Sequence, residues 1–151
     1  KFELKDFLRQ LITLDNRLFD NRNLLTTKGE KIEIIDPGHR NSDSGPDFFN
    51  AKIRIGEKLW AGNVEIHKNA SDWKLHNHNH DKSYDSVILH VIENNDAEIV
   101  RSTGEIIPQL IIRYPDIIKD NYELLIQSLK KEAVVHANGL RREERSFDGL
   151  I

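Results

Sequence analysis

Asp47, Glu65 and His67 are the side chains in this sequence whose types and spacing best suit metal-assisted hydrolysis. Asp47 follows Gly45-Pro46 at the mouth of one predicted strand, and Glu65 and His67 stand near the end of the next. Strand side chains alternate between faces, so Asn63, Glu65 and His67 share one face, while Trp60, Val64, Ile66 and Lys68 share the other. A hairpin turning on Gly56-Glu57 as a two-residue loop brings Asp47 level with Glu65 and His67, but directly opposite Ile66. A bulge, or a loop one residue longer or shorter, restores a shared face, as does Asp47 lying just before the regular strand. Two carboxylates so placed supply hard oxygen ligands for Mg²⁺ or Mn²⁺ and leave positions for water and a substrate phosphate. His67 would then stand beside that water, able to take a proton or stabilise developing charge.

Other residues offer rival or supporting chemistry. His76, His78 and His80 suggest zinc, since His76 and His80 are four apart on a helix and all three share a face in a strand. Their segment, KLHNHNHD, is poor in helix formers and reads as a solvated turn. His76 is also a candidate substrate contact. Lys52, Arg54 and Lys74 are candidate phosphate contacts, with Asn63 beside the acids. Asp43 serves either as an outer acid or as a loop stabiliser. Asp72 is expected in a helix cap, Trp60 and Trp73 in packing, and His90 as a core histidine with its hydrogen bonds satisfied.

The elements that must position these groups follow from hydrophobic period. Residues 2–14 read as an amphipathic helix and 15–29 as a polar connection. A short strand at 32–35 stops at Pro37-Gly38, and 39–47 (HRNSDSGPD) is a polar loop. Two site strands follow, then a short helix or turn capped by Ser71 over 71–82. The apolar run at 87–92 suits a strand covered on both faces. A hairpin around Thr103-Gly104 comes next, with Pro108 marking an edge or bulge. Pro115 opens a final helix striped by Ile118, Tyr122, Leu125 and Leu129 and ended by Asn138-Gly139. The order predicts an α/β domain: a mixed sheet flanked by helices.

Composition bounds the function. The 151 residues suit a single domain. At 38% hydrophobic and 31% charged they can form a core. No apolar run approaches the roughly 20 residues that span a bilayer, and no secretory signal is visible, so a cytoplasmic protein with no membrane partner is expected. The chain has no cysteine, which excludes thiolate metal sites and disulfides. A net charge of −3 does not favour nucleic-acid binding by bulk electrostatics, although residues 40–82 are close to balanced. The start at Lys1 and the absence of methionine lead us to expect an N-terminal fragment of a longer protein. Oligomeric state is not legible.

Pro46-Asp47 followed by Glu65-Ile66-His67 resembles the PD-(D/E)xK nuclease superfamily. That resemblance implies a restriction-endonuclease-like core, with Asp47 and Glu65 on the metal and His67 in place of the usual Lys, which Lys68 cannot supply from the wrong strand face. At closer range NSDSGPDFFNAKI, LWAGNVEIH, SDW and YDSVILHVI resemble the uncharacterised bacterial domain-of-unknown-function family 2851, over residues 23–116 or so. This second resemblance implies no activity. The leading expectation is a divalent-metal-dependent nuclease acting on DNA or RNA. The alternatives are a non-catalytic nucleic-acid- or protein-binding module on the same core, and a zinc-dependent hydrolase using His76, His78 and His80.

Overall fold

Apolar residues at alternate positions, Ala51, Ile53 and Ile55, drive the strand that organises the molecule, because each buries its side chain on one face. In the computed structural model the described residues are 24–112, with Leu124, Gln127 and Lys131. The chain divides into two compact units, residues 3–114 and 115–151. The three described residues of the second unit are helical and exposed. The helix expected over 2–14, the rest of that after Pro115 and the tail lie outside the described residues.

The first unit is built on β1 (Ile32–Asp36), β2 (His39–Arg40), β3 (Phe48–Ile55), β4 (Lys58–Asn69), β5 (Val87–Asn94) and β6 (Gln109–Ile111). They form one six-stranded sheet in the order β1-β3-β4-β5-β6, with β2 also paired to β3. Pairing is antiparallel from β1 and β2 through β3 to β4, and parallel from β4 through β5 to β6. Ile55 pairs with Lys58, so Gly56-Glu57 is the expected two-residue turn, with Gly56 at a φ of 61°. The hairpin around Thr103-Gly104 also forms, joined by the Val100–Ile106 bridge.

Two irregularities set the register. Ala51 pairs with Gly62, whereas Phe48 pairs with Val64, so β3 carries a bulge between Phe48 and Ala51. Asn50 there adopts the left-handed conformation, with φ of 60°, which Asn tolerates better than most residues. On β5 a second irregularity lies between the partners of Asn63 and Val64. Here Gly62 lets the strands close, since a Cβ on it would lie 2.6 Å from both Ile88 Cγ2 and the Ser86 carbonyl.

The expectation of helices flanking the sheet around a restriction-endonuclease-like core is overturned. Among the described residues the fold is essentially one mixed sheet with very little helix. Residues 71–82 hold the short helix or turn expected there: a four-residue α1 (Asp72–Leu75) and then two 3₁₀ turns, His78–His80 and Lys82–Tyr84. The reason is local. Asn77 turns left-handed, with φ of 57°, directly after α1, in a His/Asn-rich stretch with weak helix propensity. Ser71 makes no capping bond; its amide and hydroxyl both donate to Asp96. The covering segment packs Trp73 and Tyr84 with Val87, Ile99 and Ile107 in one buried cluster. Among the described residues no helix is long and apolar enough to cross a membrane.

Candidate metal centre

The bulge at Asn50 decides how the acids face. With Phe48 opposite Val64, continuing the ladder by one residue sets Asp47 opposite Glu65, and directly opposed residues share a face. Asn63 braces the bulge by accepting from the Asn50 amide at 3.2 Å and donating to Ser86 Oγ at 2.7 Å. Asn41 clamps the preceding loop, its side-chain amide donating to the carbonyls of Ser44 and Pro46. Asp47 is thereby held in the interior, where its Oδ2 accepts from the Ile66 amide at 2.8 Å. Its carboxylate stands in for a backbone acceptor just before β3 begins.

Parallel pairing then carries the polar layer across the sheet. Glu65 on β4 lies beside His90 on β5, which lies beside Gln109 on β6. All three are buried, with His67 one alternation further along β4. His67 Nδ1 lies 2.7 Å from His90 Nε2, and His90 Nδ1 lies 2.9 Å from Gln109 Oε1. Gln109 Nε2 donates to the Ala97 carbonyl at 2.9 Å. A buried polar stripe of this length is tolerated because its members are hydrogen-bonded to one another.

The covering segment adds two more imidazoles. His78 Nε2 lies 3.0 Å from Glu65 Oε2, and His67 Nε2 lies 3.7 Å from the same oxygen. The His76 ring stands edge-on to His67 at a centroid separation of 5.1 Å. One nitrogen each of His67, His76 and His78 falls within a span of 4.8 Å. His67 and His78 are buried and His76 is exposed, so the cluster opens to solvent at His76.

Aromatic packing dries the rest. Tyr84 stacks on His78 with centroids 3.6 Å apart and planes 15° apart, and Trp73 stands edge-on to His78, His90 and Tyr84. Burial, reinforced by the Glu65 and Asp81 carboxylates, pushes the Tyr84 phenol up to about 12, so it stays protonated at neutral pH. Burial also pulls His90 down to about 4, only partly offset by its bond to Gln109, so this imidazole is neutral.

The sequence-predicted residues divide cleanly. Asp47, Glu65, His67, His76 and His78 are assembled on one side of the sheet. His80 lies outside the three-imidazole group, exposed, with its Nε2 3.2 Å from Asn79 Nδ2. Asn63 serves the bulge, and Asp43 is exposed in the clamped loop. Lys52 and Arg54 lie further along the same sheet face, both exposed, with Arg54 paired to Glu33 at 3.5 Å. Lys74 is exposed on α1, two residues before His76. Asp72 accepts from the Asn69 amide, and Trp60 is exposed instead of packed. His90 is the satisfied core histidine expected. Gln109 was not expected in the site, and its signal is that it stands alone as a polar side chain in the apolar run IIPQLII. A cleft of about 570 Å³, lined by Thr26, Lys28, Glu98, Pro108 and others, reaches the polar stripe at Gln109 but is not lined by the three clustered histidines.

Fold and site together define a mixed-sheet protein whose interior carries a carboxylate–imidazole cluster open at one end. The chain belongs to the family described as Protein of unknown function (DUF2851), which it matches over residues 6–137. No curated protein and no solved structure matches it.

Proposed function

We propose that this protein is a metal-dependent hydrolase whose ion is held by His67, His76 and His78, and that its substrates are nucleic-acid phosphodiesters. The observation that carries the metal assignment is the convergence of three imidazole nitrogens within 4.8 Å beside the buried carboxylate of Glu65. Three imidazoles suit Zn²⁺ or a related transition metal better than Mg²⁺, which takes oxygen ligands. Three protein ligands also leave a coordination position for water or substrate. Such an ion polarises a phosphoryl oxygen and lowers the pKa of water at its open position.

The chain's own groups supply the rest. Glu65 accepts from His78 at 3.0 Å and so orients that ring. The exposed edge at His76 admits substrate, with Lys74 nearby to meet a phosphate. Asp47 is assigned to holding the Ile66 amide, and through it the strand that presents Glu65 and His67.

Cleavage of labelled single- and double-stranded DNA and RNA, after loading with Zn²⁺, Mn²⁺ or Mg²⁺, tests this reading. Turnover with Zn²⁺ or Mn²⁺ is expected to vanish with chelator and to fall at least 100-fold in His67→Ala. Intact nucleic acid under every metal, with zinc demonstrably bound, would sink the substrate assignment and leave the metal centre standing.

A further inference from the structure

We infer that Gln109 and His90 are positioning residues that hold His67 in one tautomer, with the proton on Nδ1 and the Nε2 lone pair turned toward His76, His78 and Glu65. The inference deepens the metal reading above and rests on it for the consequence, though not for the tautomer itself.

The order of donors and acceptors can be followed from the far end. The Ala97 carbonyl can only accept, so the group 2.9 Å away on Gln109 is its NH₂, which puts Oε1 on the other side. A flipped amide would set two acceptors against each other in a buried position, leaving both unsatisfied. Oε1 in turn can only accept, so His90 Nδ1, at 2.9 Å, carries the hydrogen. A neutral imidazole has one N–H, so His90 Nε2 is an acceptor. His67 Nδ1, at 2.7 Å, must then be the donor. In a neutral His67 this leaves the lone pair on Nε2, the nitrogen 3.7 Å from Glu65 Oε2.

The sheet fixes the middle of the relay: Gln109 and His90 are register partners on β6 and β5, and His67 lies two residues along β4 from Glu65, the partner of His90. Trp73 flanks His90 at a centroid distance of 5.2 Å and helps keep competing water away. Metal-ligating histidines usually donate their other N–H to an acceptor that orients the ring, most often a carboxylate, carbonyl or water. Here the acceptor is a second histidine, itself oriented by an amide and a backbone carbonyl. Loss of the relay leaves the ligand set intact and frees His67 to present the wrong nitrogen.

The test is made on the ¹⁵N-labelled full chain, without metal, by long-range ¹H–¹⁵N correlation of the histidine rings. His67 is expected as the Nδ1–H tautomer, and a mixture is expected in Gln109→Leu. Chelator-competition titration with Zn²⁺ is run in parallel, with an expected 10- to 100-fold weaker affinity in Gln109→Leu. An Nε2–H tautomer in the wild type overturns the inference whatever the zinc affinity. Unchanged zinc affinity in a folded Gln109→Leu overturns the positioning role. A wild type that binds no zinc but shows the Nδ1–H tautomer contradicts the metal centre instead, and leaves the tautomer assignment supported. The wild-type spectrum decides the tautomer even if Gln109→Leu does not fold.

Discussion

The two faces of β4 and β5 are buried alike and filled differently. One face presents Val64, Ile66, Leu89 and Val91, all at most 5% exposed. The other presents Glu65, His67 and His90, also at most 5% exposed. Alternation alone explains why neighbours along a strand face apart, but not why one buried face is polar. Burying carboxylate and imidazole groups costs free energy that apolar side chains of the same volume would not. The apolar face serves stability. The polar face keeps its composition through mutual hydrogen bonding and, on our reading, for its chemistry.

The largest expected effect lies on the apolar face. Ile66→Ala should cost about 2–5 kcal/mol in urea unfolding, as for a fully buried aliphatic side chain, and leave zinc affinity of the folded fraction unchanged. A matching loss of metal affinity would break the separation between the faces.

The polar face should reveal itself in acid. His90 has a folded value of about 4, below its ordinary 6.5, so between these values the unfolded chain binds more protons. Its contribution is present in full above about pH 6.5 and is lost as pH falls toward 4. The loss is about 3 kcal/mol from this group. Unfolding of wild type and His90→Phe, compared at pH 7 and pH 5, checks it. The variant should lack the His90 share of the decline.

Smaller effects sharpen the geometry. Asn50→Ala forces an alanine into left-handed backbone and should cost about 1 kcal/mol, whereas Asn50→Gly should be close to neutral. If Asn50→Ala instead expels the bulge, Asp47 leaves the face of Glu65, a change visible in the amide exchange of Ile66. Smallest of all, His76→Ala should change stability by less than about 0.5 kcal/mol, because the side chain is exposed. It should nonetheless abolish tight metal binding.

Much of the first unit was legible. The two site strands, the Gly56-Glu57 turn, the strand from Val87 and the later hairpin all follow from period and turn chemistry. The bulge was foreseeable as a condition for a shared acid face, but its place at Asn50 depends on a backbone angle that no pattern announces. Residues 71–82 were legible as a short helix or turn, but their weak propensities leave the path to tertiary contacts, here Trp73, Tyr84 and the His78–Glu65 pair. That path joined His76 and His78 to His67 and left out His80. His90 and Gln109 each carried a sign, a lone polar residue inside an apolar strand run. Recognising them as one relay required the parallel register of β4, β5 and β6, which lies beyond periodicity.

The most direct measurement is a calorimetric Zn²⁺ titration of the metal-free wild type beside His76→Ala. One saturable site per chain, lost in His76→Ala while the variant keeps its unfolding midpoint, is the expected result. No saturable binding by a folded wild type, or equal binding by both proteins, would contradict the metal centre of His67, His76 and His78.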